Sequence, residues 1–384
     1  MKVCVEGGNL RSGGGLTHVV ELLHAVEPLR DGVASVHAYT TERAASMLPR
    51  RDWLHVFQGG PWAGDAKSRA LWLRRDLTRI AGEERFDVIF SPGGICVPCG
   101  VPSVTMSRNM LPFQMRESLR YGISASFVRN LVRRIVQTRS FRRADGLIFL
   151  TDFAKRETLK KIGRTNGLVA TVPHGVNERF FSGPRPQIPA CNFSSDRPFR
   201  ILYVSPIEPY KHHWNVVCAV ERLSRQGMSV ELVFAGRSGQ GQTRLNASVK
   251  KLKKLGSDMG FLKIVGELAH EDLASVYRES DAFIFASTCE NMPNTLLEAM
   301  ASGLPIACSD RGPMPEVCRE AALFFDPEDS SSIERALRSL LSDPSLRFDL
   351  ASRAFERARQ YSWTRCAQET FAFLAAVVGR RKTC

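Results

Sequence analysis

The sequence lacks any apolar run near the ~20 residues a helix needs to cross a bilayer, so it offers no spanning segment. Its first residues, MKVCVEGG, are too short an apolar run for a secretory leader and read as the start of a strand. It has no low-complexity tract, and no internal repeat beyond a broad likeness between its two halves. One C-x-x-C pair occurs, Cys96 and Cys99, with no second pair and no histidine partner nearby. That excludes the usual zinc framework and leaves a loop pair as the simplest reading. The ten cysteines are scattered, mostly inside expected strands and helices. Buried free thiols in a reducing cytoplasm account for such a pattern. Acidic residues are the scarcer charge: 53 Lys and Arg stand against 39 Asp and Glu, a net charge of +14.

The excess is uneven, with residues 1–176 carrying +11 and residues 177–384 carrying +3. A basic face attracts anionic membrane, nucleic acid or phosphorylated substrate, and charge alone does not choose among them. No RNA-binding motif and no interleaved aromatic platform is visible. The stretch 115–143 holds eight arginines and a single acid, Glu117. Apolar residues at Phe127, Leu131, Val132 and Ile135 make part of it an amphipathic helix. Two readings stay open and are compatible: a helix on an anionic membrane surface, or a domain helix with its apolar face in the core.

A length of 384 residues suits two domains. Seven short β-branched or apolar runs punctuate the first half, at 3–6, 33–39, 54–58, 88–91, 103–106, 147–150 and 169–172. Six follow in the second, at 201–204, 230–235, 262–265, 282–286, 306–308 and 323–325. Helical stretches lie between them, which predicts an α/β chain with two parallel sheets covered on both faces. We expect a first domain over 1–176, a Pro- and Ser-rich linker over 177–198, a second domain over 199–360, and a terminal helix and tail over 361–384.

The most informative segment is 284–317. A buried strand gives way to a loop with Glu290, then to a helix from about Thr295 that carries Glu298 in its first turn. Gly303 stops that helix and Pro305 opens the next strand. Two carboxylates eight residues apart therefore flank a helix N-terminus at the carboxyl edge of a parallel sheet, where open α/β sheets bind ligands. The helix N-terminus favours anions and the carboxylates accept from hydroxyls, a combination that describes a nucleotide sugar. The simpler reading is a capping box between Thr295 and Glu298, with Glu290 a solvated loop acid.

The run Glu290-NMPNTLL-Glu298-AMASGLP resembles the signature of the retaining GT-B glycosyltransferases of family 4. The resemblance implies two Rossmann-like doubly wound domains facing a cleft, with the terminal helix returning to the first. It implies transfer of a hexose from a UDP- or GDP-sugar to a glycan or lipid-linked acceptor, in surface polysaccharide or glycolipid assembly. It gives Glu290 the donor-sugar hydroxyls and Glu298 the ribose, with Asn291, Met292, Pro293 and Asn294 lining the same loop. Lys211, in the turn after the strand ILYV, matches a family lysine that neutralises the leaving diphosphate. The family's arginine beside it is replaced here by Pro206, which leaves Arg237 as a candidate second cation. The Gly14–Gly15 pair matches a family turn whose amides approach the diphosphate or the sugar. Where many relatives have a histidine, this chain has Arg108 and Asn109; Asn109 can hydrogen-bond a hydroxyl, Arg108 can hold a phosphate, and neither is a general base at neutral pH. His18 and His174 read as structural, and Gly266–Glu267 resembles a loop that contacts the base. No D-x-D triplet occurs, so no metal or other cofactor is expected beyond the nucleotide sugar itself. Two rivals remain: a GT-B epimerase or phosphorylase, and a non-enzymatic basic protein that binds RNA or membrane. The favoured reading places the chain in the cytoplasm, with contact to anionic membrane and none to nucleic acid.

Overall fold

The computed structural model describes every residue except Ser12, Val97, His270 and Cys384. Its chain divides into two compact units. The first comprises Met1–Phe113, Val128–Gly175 and Tyr361–Cys384, and the second Gln114–Phe127 and Val176–Gln360. The division departs from an unbroken first domain over 1–176, because the stretch 114–127 packs with the second unit. It also leaves no separate linker, since 177–198 belongs to the second unit throughout.

The first unit is built on seven parallel strands: β1 (Lys2–Glu6), β2 (Ser35–Tyr39), β3 (Leu54–Phe57), β4 (Val88–Ser91), β5 (Ser103–Met106), β6 (Gly146–Phe149) and β7 (Leu168–Thr171). Their order is β3-β2-β1-β4-β5-β6-β7. Every described pairing is parallel, Val3 lying opposite both Val36 and Val88. β4, β5 and β6 are buried along their whole length, as continuous apolar runs predict for strands covered on both faces. Edge strand β3 turns three of its four residues to water. The terminal helix, Trp363–Thr383, belongs to this unit and packs on the sheet. A Cβ on Gly146 of β6 would stand 2.8 Å from Val377 and 2.9 Å from Phe373. The helix runs as far as Thr383.

The second unit carries six parallel strands: β8 (Phe199–Val204), β9 (Val230–Ala235), β10 (Leu262–Gly266), β11 (Ala282–Phe285), β12 (Ile306–Ser309) and β13 (Ala322–Phe325). Their order is β10-β9-β8-β11-β12-β13, so the winding reverses between β8 and β11. Ile201 and Leu202 lie opposite Ala282 and Phe283 there. A reversal of this kind opens a crevice at the carboxyl ends of the two strands.

Arg347 explains why 177–198 does not behave as a linker. It is fully buried, on the helix Pro344–Ala358. Its guanidinium donates to the carbonyls of Leu340 (2.5 Å) and Leu341 (2.8 Å), closing the last turn of the helix Ser330–Ser342. It also donates to Gln187 Oε1 at 3.0 Å and to the Ile188 carbonyl. The Pro-rich stretch is thus fastened to the core by a charge that itself needs those acceptors. Gly303 adds a steric fit: at φ 66°, a Cβ there would lie 2.1 Å from the Gly183 carbonyl oxygen. Replacing Arg347 with Met should lower stability by about 3 kcal/mol or more, since several buried carbonyls lose their donors together. Denaturant unfolding measures the loss, and limited proteolysis should show new cleavage within 184–193. Wild-type stability and cleavage would refute the fastening role.

Candidate active site

Two strand ends build the site. Beyond β8 the chain turns through Pro209–Lys211 into the helix His213–Arg225. Beyond β11 it runs through Ser287–Met292 into the helix Asn294–Ala301. These are the neighbours at the winding reversal. Gly236, at the end of β9, lets that loop approach β8: a Cβ there would stand 2.1 Å from the Ser205 carbonyl oxygen.

Lys211 and Glu290 meet across the reversal, Nζ to Oε1 at 2.5 Å. Both are largely buried, with side chains 7% and 15% exposed. Ser287 Oγ donates to the same Glu290 oxygen at 2.5 Å. The Lys211 ammonium also lies 4.6 Å from the centre of the Phe285 ring and 5.4 Å from that of Tyr210. Tyr203 steadies the backbone, its hydroxyl donating to the Lys211 carbonyl at 2.8 Å while its ring stacks on His213 at 4.5 Å. His213 is fully buried, and burial followed by the Lys211 charge pushes its pKa well down, so it stays neutral. Neither adjoining helix, 213–225 or 294–301, has a side-chain cap at its N-terminus. Their first-turn amides remain free of side-chain caps at the edge where an anion would sit.

Glu298 occupies a different setting. The helix begins at Asn294, so Glu298 lies in its second turn, and no Thr295–Glu298 capping box forms. Glu298 instead faces inward, and its Oε2 accepts from the Tyr277 hydroxyl at 2.9 Å. No cation pairs with it among the described residues. Burial raises its pKa to about 7, against smaller opposing effects of Tyr277 and Arg179. Asn291, Met292 and Pro293 are buried around the loop, while Asn294 is half-buried as the first helical residue. Arg237 is exposed in the loop after β9, where its carbonyl accepts from Ile207 N at 3.1 Å. At Gly266 the carbonyl accepts from Gly236 N at 2.7 Å.

The stretch 114–127 supplies residues that sequence reasoning missed. Glu117, buried in the helix Met115–Leu119, accepts from Thr288 Oγ1, two positions before Glu290. Arg120 pairs with Glu117 at 2.7 Å and with Glu328 at 2.6 Å, and the Tyr121 hydroxyl donates to Glu208 at 3.1 Å. His212, in the left-handed region at φ 49°, reaches Thr288 Oγ1 at 3.2 Å. The one available signal was that Glu117 is the only acid in an arginine-rich run. Tyr277, Ser287 and Thr288 gave no signal of their own.

The remaining candidates lie in the first unit. Gly14 and Gly15 open the helix Gly14–Ala25, behind Gly13 at φ 68°; Ser12 of that turn lies outside the described residues. Arg108 donates to both carbonyls, at 2.9 Å for Gly15. It braces the turn, and burial draws its pKa down to about 10. The Asn109 side-chain oxygen accepts from Leu111 N at 3.0 Å, leaving its amide donors for other partners. His18 is fully buried, its ring 5.5 Å from Trp363, and His174 stacks on the same indole at 5.7 Å. Cys96 and Cys99 are buried thiols whose pKa burial raises.

The protonation of Glu298 carries a sign. Its folded pKa lies above the unfolded one, so between pH 4.5 and about 7 the folded chain holds a proton that the unfolded chain has lost. This contribution to stability therefore falls as pH rises through that window. At roughly 1.4 kcal/mol per pH unit, the full change is about 3 kcal/mol. Glu298→Gln should flatten that part of the stability profile, read by urea unfolding from pH 4.5 to 8. An unchanged slope would mean that the carboxyl is ionised throughout.

Two family descriptions match the chain: Glycosyltransferase Family 4 over residues 12–180 and Glycosyl transferases group 1 over residues 185–359. O-antigen chain mannosyltransferase B of Escherichia coli is 30% identical over 170 residues, covering 44% of this chain and 44% of that relative. The match thus spans less than half of the relative's length. Among solved structures, sucrose-phosphate synthase from Thermosynechococcus elongatus superposes with a TM-score of 0.74 at 17% identity, over 96% of this chain and 97% of the other. Anabaena HepE in complex with UDP and glucose superposes at 0.71 and 17% identity, over 98% and 100%. With both halves matched by sequence and the fold shared with these structures, the chain belongs to the GT-B glycosyltransferases of family 4.

Proposed function

We propose that the protein moves a hexose, with retention at the anomeric carbon, from a UDP- or GDP-sugar to a glycan or lipid-linked acceptor in surface polysaccharide or glycolipid assembly. The observation that carries this reading is the Lys211–Glu290 pair at the β8/β11 reversal, beside two helix N-termini that no side chain caps. A diphosphate suits the cation and the amides, and sugar hydroxyls suit the carboxylate. The name of the mannosyltransferase relative and the UDP and glucose held by HepE support hexose transfer from a nucleotide donor.

In the proposed reaction, the bond between the anomeric carbon and the β-phosphate oxygen breaks. Lys211 turns from Glu290 toward the departing diphosphate and offsets its growing charge. Glu290 accepts from donor-sugar hydroxyls, and Glu298 from the ribose. The acceptor oxygen bonds the anomeric carbon on the face that the diphosphate leaves. Its proton passes to an oxygen of the leaving phosphate, so no protein base is required. Arg237 serves as the second cation in place of the residue that Pro206 replaces, and Asn109 and the Gly14–Gly15 turn are assigned contacts to the transferred sugar by the family resemblance alone. The +11 charge of residues 1–176 brings the enzyme to anionic membrane, where a lipid-linked acceptor resides.

Glu290→Ala should cut turnover at saturating donor by a factor of tens to hundreds, about 2–4 kcal/mol of lost transition-state stabilisation. Lys211→Ala should weaken UDP or GDP binding far more than binding of the bare nucleoside, measured by titration calorimetry. Near wild-type turnover in the first variant, or equal losses in the second, would overturn the assignment. Transfer should also persist in EDTA, because a lysine and helix amides take the role a divalent ion would fill. Activity lost to EDTA and restored by Mn²⁺ would contradict this mechanism.

A further inference from the structure

The helix Ala125–Arg143 turns much of its apolar surface outward. Its buried positions are Ser126, Asn130, Gln137, Ser140 and Phe141, all polar but the last. Its exposed positions include Val128, Leu131, Val132 and Ile135, 42% to 54% open to water. Of the two readings left open, a domain helix with its apolar face in the core does not account for these four. The spacing of three, four and seven residues sets these four on one stripe. Val136, next along the helix, is 37% exposed and forms part of the wall of a pocket of about 450 Å³.

The pocket lies within the first unit, between this helix, the helix Ala66–Glu83 and the loop after β4. Leu73, Ile95, Pro98, Val136 and Ala70 give it an apolar wall. Four arginines also line it, and no acid does. Arg69 is already committed to Glu6 at 2.6 Å. Arg74, Arg139 and Arg143 are exposed and have no side-chain partner among the described residues. The polar groups deeper in are occupied with each other, Ser140 Oγ accepting from Cys96 N at 2.8 Å. The lining offers no carboxylate for hydroxyls and no aromatic ring for a base.

An exposed apolar cavity is unfavourable in water. Three like charges at its rim raise the local positive potential. One ligand chemistry relieves both: an apolar chain ending in a phosphate, with guanidinium groups to hold the oxygens. The volume falls in the usual range for a small-molecule site. We propose that this pocket binds a single-chain lipid phosphate, the chain against Leu73, Ile95 and Val136 and the phosphate on Arg74, Arg139 and Arg143. The outward stripe of the 125–143 helix then lies beside the bound chain as a second apolar surface.

The test is calorimetric titration of the whole protein, without donor, using decyl phosphate below its micelle concentration. Inorganic phosphate and neutral decyl maltoside provide the head and the chain alone. Decyl phosphate should bind at least tenfold more tightly than either. Ala70→Phe, at an exposed wall position, should reduce that affinity at least tenfold by filling the pocket, and Arg139→Gln with Arg143→Gln should do the same by removing the head contacts. Equal binding of inorganic phosphate would overturn the proposal, as would wild-type affinity in Ala70→Phe. Binding only to phosphatidylglycerol vesicles, with none to the monomer, would assign the stripe to surface docking and refute the pocket. None of these residues lies in the second unit, so UDP or GDP binding should survive in every variant and serves as the check on folding. Failure here therefore stays distinct from failure of the transfer reaction.

Discussion

A carboxylate taken out of water must be matched, and the organisation of both units follows from how each buried acid meets that demand. Glu6 at the end of β1 is held by Arg69, Glu117 by Arg120, and Glu290 by Lys211. The Glu6–Arg69 and Lys211–Glu290 pairs join segments far apart in sequence where a strand gives way to a loop, while Glu117 and Arg120 stand three residues apart at one short helix. Glu298 differs. It meets only the Tyr277 hydroxyl, and its pKa rises to about 7. Three of these acids face a cation, and Glu298, without one, keeps a proton that can leave when better donors arrive.

That difference separates the two signature glutamates, which look equivalent in sequence. Glu290 already has a cation and a hydroxyl on one oxygen. A ligand at Glu290 must compete for that oxygen or use the other, and a diphosphate that draws Lys211 away would release it. Glu298 has no cation to surrender. Under the proposed role, hydroxyls donated to Glu298 would stabilise its anion and favour loss of the proton.

The sheets were legible because strands buried on both faces must be continuous apolar runs, and all thirteen expected strands occur. The Glu290 loop was legible for a related reason: a strand end, a loop acid and a helix stop at Gly303 leave few geometries. What escaped was decided by tertiary partners. Nothing local marks Tyr277 as the partner of Glu298, since the two are 21 residues apart and belong to different helices. The simpler reading, a Thr295–Glu298 capping box, does not form, because Glu298 lies in the second turn, too far in to reach the N-terminus, and meets Tyr277 instead. The stretch 114–127 lacks sustained periodicity, and Gly122 at φ 63° separates its short helix from the one that follows. Its place with the second unit rests on Glu117, Arg120 and Tyr121, and pairings that distant leave no trace in spacing.

Pro206 brings these points together. In the proposed site this proline stands where the resemblance implies an arginine, and the turn after β8 is held by other contacts. Tyr203 holds the Lys211 carbonyl, Thr288 N donates to the Tyr210 carbonyl at 2.9 Å, and His212 adopts the left-handed conformation that starts the helix. The lysine is thus positioned by backbone and aromatic contacts, and a neighbouring cation is not needed to place it. Under the proposed function, Lys211 and the uncapped helix ends would carry the charge of a diphosphate bound there, and the buried ammonium that already faces Glu290 would be the point at which charge is exchanged as it enters or leaves.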